Sequence, residues 1–224
     1  MRHHPAPLHS MLLATLLAAL LAACAPTTGA KVEVGSVPEL TTFHPNQTGL
    51  EWQYLYANDA LDAQTITHRV LGPMSERGQI LTVEHTYGRG YDHHYYRSYT
   101  PEGVHLHREA RPGVTITYDP PLQELPASLE TKPGAKWGGT TTVTIAFDKG
   151  VRETHTLEYQ STIHEQRKVT LPTGEHTLLV IDFQSIDDAG HRIVQQLWYQ
   201  PYLGWVKLRD EAVLVKANTN GGGF

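Results

Sequence analysis

The chain has 224 residues, 40% of them hydrophobic, with 18 Lys and Arg against 23 Asp and Glu and a formal net charge of −5. A mildly acidic chain without a basic cluster is unsuited to nucleic acid, and its length suits one folded domain flanked by shorter segments. One cysteine excludes any disulfide within the chain.

The first segment carries an address. Arg2 precedes the apolar run Met11 to Leu21, which ends in Leu21-Ala22-Ala23-Cys24. This run is too short to span a bilayer, which takes about 20 apolar residues, but long enough for a signal peptide. Small residues before the cut fit a narrow peptidase cleft, and a thiol can be alkylated as a thioether. An ordinary secretory signal beside an incidental cysteine is the plain alternative, but an unpaired thiol in an oxidising compartment is a liability unless modified. The four residues resemble the lipobox of bacterial lipoproteins. That resemblance implies cleavage before Cys24, a diacylglyceryl group and an amide-linked acyl chain on Cys24, and no other cofactor. Two or more chains suffice for stable anchoring. Ala25 and Pro26, with no Asp, imply the outer membrane facing the periplasm in a host that has one.

The expected organisation is a signal peptide over 1–23, a lipidated cysteine and flexible tether over 24–42, an antiparallel β domain over 43–218 and a disordered tail over 219–224. The tether is rich in Pro, Gly, Ser and Thr. Beyond it the hydrophobic period is two. Alternation at Trp52-Tyr54-Tyr56, Ile66-His68-Val70 and Leu81-Val83-His85-Tyr87 predicts three strands. It returns at Val104-Leu106, Val114-Ile116-Tyr118, Val143-Ile145-Phe147 and Leu157-Tyr159. Turn residues bound these runs: Asn58-Asp59, Gly72-Pro73, Glu102-Gly103, Pro112-Gly113, Lys149-Gly150 and Ala189-Gly190. Short connections mean antiparallel pairing, since parallel strands need long crossovers. Pro120 to Lys136, with four prolines, reads as an irregular excursion or a short helical turn around Leu122 to Leu129. Leu178 to Phe183 is nearly continuous in apolar character and predicts a central strand buried on both faces. Pro172 and Gly174 set a turn before it, and Pro201 and Gly204 another between Trp198-Tyr199 and Trp205-Val206.

Three stretches resemble small envelope lipoproteins: Phe43-His44-Pro45 with Gly49-Leu50-Glu51-Trp52-Gln53-Tyr54, then Val169 to His176, then Trp198 to Val206. The resemblance implies a fold akin to the half-barrel of the carrier and receptor of the lipoprotein localisation pathway, a curved antiparallel sheet over an apolar cavity. The fold class expected is therefore all-β, a curved sheet, half-barrel or open barrel with a proline-rich excursion as the candidate lid.

Chemistry-bearing residues are few. Trp52, Tyr54, Trp198 and Trp205 suit either a core or the aromatic wall of a ligand groove. If Tyr91 to Tyr96 and Val104 to His107 pair as a hairpin, His105 and His107 share a face, with His93 or His94 across the ladder about 5 Å away. With Asp92 nearby, such a group could hold zinc or copper; histidines on a solvated sheet face are the simpler reading. The sequence contains no Gly-x-Ser-x-Gly, phosphate loop, dinucleotide fingerprint or His-Glu-x-x-His. The acidic pairs Asp187-Asp188 and Asp210-Glu211 read as solvated carboxylates. The function expected is a membrane-anchored, non-enzymatic binding or structural module with an apolar or lipid ligand. A His-based metal-binding protein and a protein-interaction or assembly factor stand as alternatives.

Overall fold

The computed structural model describes residues 43–127, 132–208 and 211–218. The leader, Cys24, the tether and the tail after 218 lie outside the described residues. Among the described residues twelve strands follow in chain order: β1 Glu51–Tyr56, β2 Ile66–Glu76, β3 Gln79–Gly88, β4 Tyr91–Thr100, β5 Gly103–Arg111, β6 Val114–Pro126, β7 Lys136–Phe147, β8 Arg152–Leu171, β9 Gly174–Asp187, β10 Arg192–Gln200, β11 Gly204–Lys207 and β12 Ala212–Asn218. Each pairs antiparallel with its neighbour in sequence, and β1 also pairs with β12, so the sheet closes into a barrel.

The all-β antiparallel class read from the sequence is the class observed. Closure differs from the half-barrel expectation, because β1 hydrogen-bonds on both sides: Trp52 lies opposite His68 on β2 and Ala217 on β12. An antiparallel sheet that closes removes its exposed edges. Among the described residues, no proline-rich lid lies over an open face. Pro120, Pro121 and Pro126 belong to β6. The β5–β6 ladder shifts register between Leu106 and Arg108, opposite Leu122 and Thr117, so Pro120 and Pro121 fall at the irregularity. Proline lacks the N–H a regular ladder needs, and such places are where strands admit it. The helical turn expected at Leu122 is strand as far as Pro126; Leu129 lies outside the described residues.

Most of the predicted turns form. Reversals occur at Glu102, Pro112-Gly113, Lys149-Gly150, Ala189-Gly190, Pro172-Thr173 and Pro201 to Leu203. Gly72-Pro73 does not turn the chain; it is a bulge inside β2, with Gly72 at φ +119° and the register shifted between Val70 and Gly72. The reversal comes at Arg77-Gly78 instead.

The strand over Leu178 to Ile181 is buried on both faces, as the continuous apolar run implied. Leu178 joins a cluster with Leu50, Trp52, Tyr54, Ile66 and Leu214, whereas Leu179 and Ile181 join Tyr99, Val104, Leu125, Ile163 and Tyr199. On β3 the inward face is not the apolar one. Thr82, Glu84 and Thr86 are buried, and Val83, His85 and Tyr87 face outward. Period two locates a strand but cannot say which face turns inward when charged partners wait inside.

Candidate functional site: the barrel interior

Eight strands enclose a space that side chains alone just fill, so twelve enclose more. The surplus is taken up in three ways.

The first is a segment of chain. Phe43 to Pro45 enters beside the turn Pro201 to Leu203. The Phe43 carbonyl accepts hydrogen bonds from the Tyr199 hydroxyl at 2.8 Å and the Tyr202 N–H at 2.6 Å. His44 is 5% exposed and lies between two rings, with centroids 5.8 Å from both Tyr99 and Tyr199. Burial disfavours its cation and brings its pKa down to about 4; Arg97 works in the same direction, while Glu84 and Glu124 oppose it. His44 is thus a neutral aromatic plug at physiological pH.

The second is a network of charged side chains. Arg97 on β4 donates to Glu84 on β3 and, through Nε and Nη2, to both oxygens of Glu124 on β6, the Nη2 bond being 3.0 Å. Glu84 also accepts from the Tyr99 hydroxyl at 2.6 Å and lies 2.8 Å from Nε2 of His68 on β2. The other ring nitrogen of His68 is 2.7 Å from the Thr86 hydroxyl. Burial opposes ionisation of Glu84, but Arg97 and the His68 hydrogen bond outweigh it and hold the carboxyl well below the usual range. Burial likewise opposes the Arg97 cation, and Glu124 and Glu84 outweigh it. A buried charge is tolerated only when so compensated. Lower down, Glu109 accepts from Tyr118 at 2.8 Å and Arg111 at 2.7 Å.

What remains is the third element, a cavity of about 290 Å³. Leu122, Ile181, Phe183, Leu197 and Trp205 supply apolar wall, and Tyr54, Tyr95 and His68 supply rings with polar edges. Arg97, Arg111, Glu124 and Lys207 supply charge. Its size is near the lower end of the range for small-molecule sites, about 300 Å³.

The residues singled out from the sequence divide. Tyr54 and Trp205 line the cavity, and Tyr54 donates its hydroxyl to the Trp205 carbonyl at 2.9 Å. Trp52 is core, 3% exposed, its indole N–H bonded to the Leu203 carbonyl at 2.7 Å. Trp198 packs at the edge of that core, with Lys207 and Arg167 over its ring at 5.2 and 5.6 Å. The hairpin of β4 and β5 forms, but its histidines do not converge. His93 lines the cavity, whereas His94, its neighbour in sequence, faces outward. His94 lies opposite Ala110 and His105 opposite Ser98, four residues along β4 or about 13 Å at the strand rise. His107 turns its Nε2 to the Ser98 hydroxyl at 2.8 Å.

The sequence reading missed Glu84, Arg97, Glu124, Arg111, Lys207 and Phe183. Each sits at a position where alternation alone reads as an ordinary polar or strand residue. Only Tyr95-Tyr96-Arg97 flanked by strand signals hinted that a cation lay among rings.

No family model matches the chain, and no curated protein matches it. Two crystal structures are similar in fold. One is a protein from Bacteroides fragilis assigned as exported, with a YmcC-like fold: 13% identity over 80% of this chain and 99% of the other, TM-score 0.47. The second is a protein from Parabacteroides distasonis assigned as a lipoprotein: 12% identity over 81% and 100%, TM-score 0.43. Both are likenesses of chain course and bring no activity with them.

Proposed function

We propose that this chain is a lipid-anchored protein of the bacterial envelope, cut before Cys24, whose barrel binds a small amphipathic ligand without transforming it. The cavity of about 290 Å³ carries the reading. Its apolar wall suits an acyl chain or similar body, and Arg111 and Lys207 in its lining suit an acidic or hydrogen-bonding head. The lipobox residues supply the anchor. The outward face of β8, Arg152, Thr154, Thr156, Glu158 and Gln160, is exposed and polar. A barrel that crosses a bilayer turns apolar residues outward, so this one suits water beside the membrane rather than the hydrocarbon itself.

The test uses the full chain purified in mild detergent with Cys24 intact. Native mass spectrometry is expected to show lipid mass on Cys24, lost in Cys24→Ser, and one further non-covalent molecule recovered by solvent extraction. Ser161→Phe, which fills the cavity, is expected to abolish the non-covalent molecule while leaving the covalent lipid. Protein without any extractable molecule, and equal uptake of a fluorescent fatty acid by the wild type and Ser161→Phe, overturn the ligand reading.

A further inference from the structure

On the outer face of the barrel, away from the cavity, β3 and β4 bring together two imidazoles and a carboxylate. His85 and His94 are direct partners across the ladder, and their rings stack with centroids 4.1 Å apart and planes 9° from parallel. Asp92 lies two residues before His94, hence on the same face, and its Oδ1 is 2.9 Å from His85 Nε2. One ligand atom from each of the three lies within 4.8 Å of the others.

From this geometry we infer that His85, Asp92 and His94 form a binding site for a divalent transition-metal ion of the zinc and copper class. Ligand bonds of about 2.0 to 2.2 Å set donor separations of about 3.3 Å around such an ion, so side-chain rotation alone completes the set. The backbone need not move, because both strands are held inside a closed sheet. Two imidazoles and one carboxylate leave the remaining positions to water, as in open sites. The donors suit zinc and copper rather than calcium or magnesium, which take oxygen. Ala110 faces His94 from β5 and leaves room above it. Tyr87 packs against His85 at 4.9 Å, and Arg69 faces His85 from β2 as an adverse charge, while Arg108, two residues along on β5, is paired with Glu76 at 3.0 Å. The site differs from a grouping of His93, His94, His105 and His107: it needs the β3–β4 register, which joins residues seven to nine apart across a turn.

Zinc and copper binding to the full chain in detergent tests this, by competition with a chromophoric chelator. One equivalent of Zn²⁺ is expected to bind. His85→Ala and His94→Ala are each expected to weaken it at least ~10-fold, the least that loss of a supporting partner costs a metal site. Arg69→Ala is expected to tighten it. His164→Ala is the control: its ring pairs with Asp182 at 3.1 Å elsewhere on the barrel, and affinity should not change. With Cu²⁺ the electron paramagnetic resonance spectrum is expected to show two nitrogen ligands, falling to one in either histidine variant. All three histidine variants replace side chains that are not in the core, and circular dichroism checks that they fold. Equal affinity of His85→Ala, His94→Ala and the wild type, or no stoichiometric binding by a folded wild type, overturns the proposal. Because these side chains face away from the cavity, ligand loss from the barrel would leave this outcome unchanged.

Discussion

At the scale of single residues, the interior shows how unlike an oil drop a barrel core can be. Glu84, at 1% exposure, and Arg97, at 5%, are tolerated because Arg97 meets both Glu84 and Glu124, and Glu84 also accepts from the Tyr99 hydroxyl. His44 is the residue whose burial has a clear pH consequence. Its folded pKa of about 4 lies below the unfolded 6.5, so the unfolded chain takes up the proton first as pH falls. Stability from this residue is complete above pH 6.5 and is lost between 6.5 and about 4. The linkage amounts to about 2 kcal/mol between pH 7.5 and 5.0. His44→Phe keeps the ring between Tyr99 and Tyr199 and removes the proton. Urea unfolding at the two pH values should show the wild type losing that much more stability than the variant. Equal losses would mean that His44 is not buried as a neutral ring. Glu84 titrates lower and does not confuse the comparison, since its stabilisation is lost only as pH falls below the ordinary carboxylate range.

At the scale of elements, strands were legible because side chains alternate in and out of a sheet whatever its neighbours are. Trp52 and Tyr54, Ile66 and Val70, and Val104 and Leu106 all turn inward as their spacing implied. The alternation misled where the inward set is polar, as on β3, and where it runs past a glycine-proline pair, as at Gly72-Pro73 on β2. The β4–β5 turn gives a sharp test. Gly103 has φ +133°, and a Cβ there would stand 2.2 Å from the Leu125 carbonyl oxygen of β6. Neither the dihedral nor the backbone contact can be relieved by a side-chain rotation. Gly103→Ala should therefore destabilise the protein by more than the ~1 to 3 kcal/mol of backbone strain alone, read as a lowered urea midpoint. Gly113, which has open space around its Cβ position, gives the comparison: Gly113→Ala carries only the strain of φ +79°. Equal effects of the two substitutions would argue against the close approach of β6.

At the scale of the whole molecule, the meander makes all pairings local except one. Strand follows strand around the barrel, and among the strand ladders of the described residues the β1–β12 seam alone joins the two ends of the domain. The ladder between β8 and β9 extends from Leu157 opposite Asp187 to Leu171 opposite Gly174, whereas β11 meets β12 at Lys207 opposite Val213. Amide hydrogen exchange should consequently be slowest in the middle of β8 and β9 and fastest at β11 and its junction with β12, since opening there breaks the fewest ladder bonds. Faster exchange at Ile163 and Ile181 than at Lys207 would contradict this arrangement. The amino acid order by itself determined the period-two strands, most turns and the antiparallel pairing, because each depends on residues close together along the chain. Tertiary structure decided that the sheet closes, that β3 turns its polar face inward, and that Glu84, Arg97 and Glu124 meet beside a cavity while His85 meets His94 outside it. Those outcomes depend on register, which a change of one residue reverses, and on whether distant charges find one another across a closed wall.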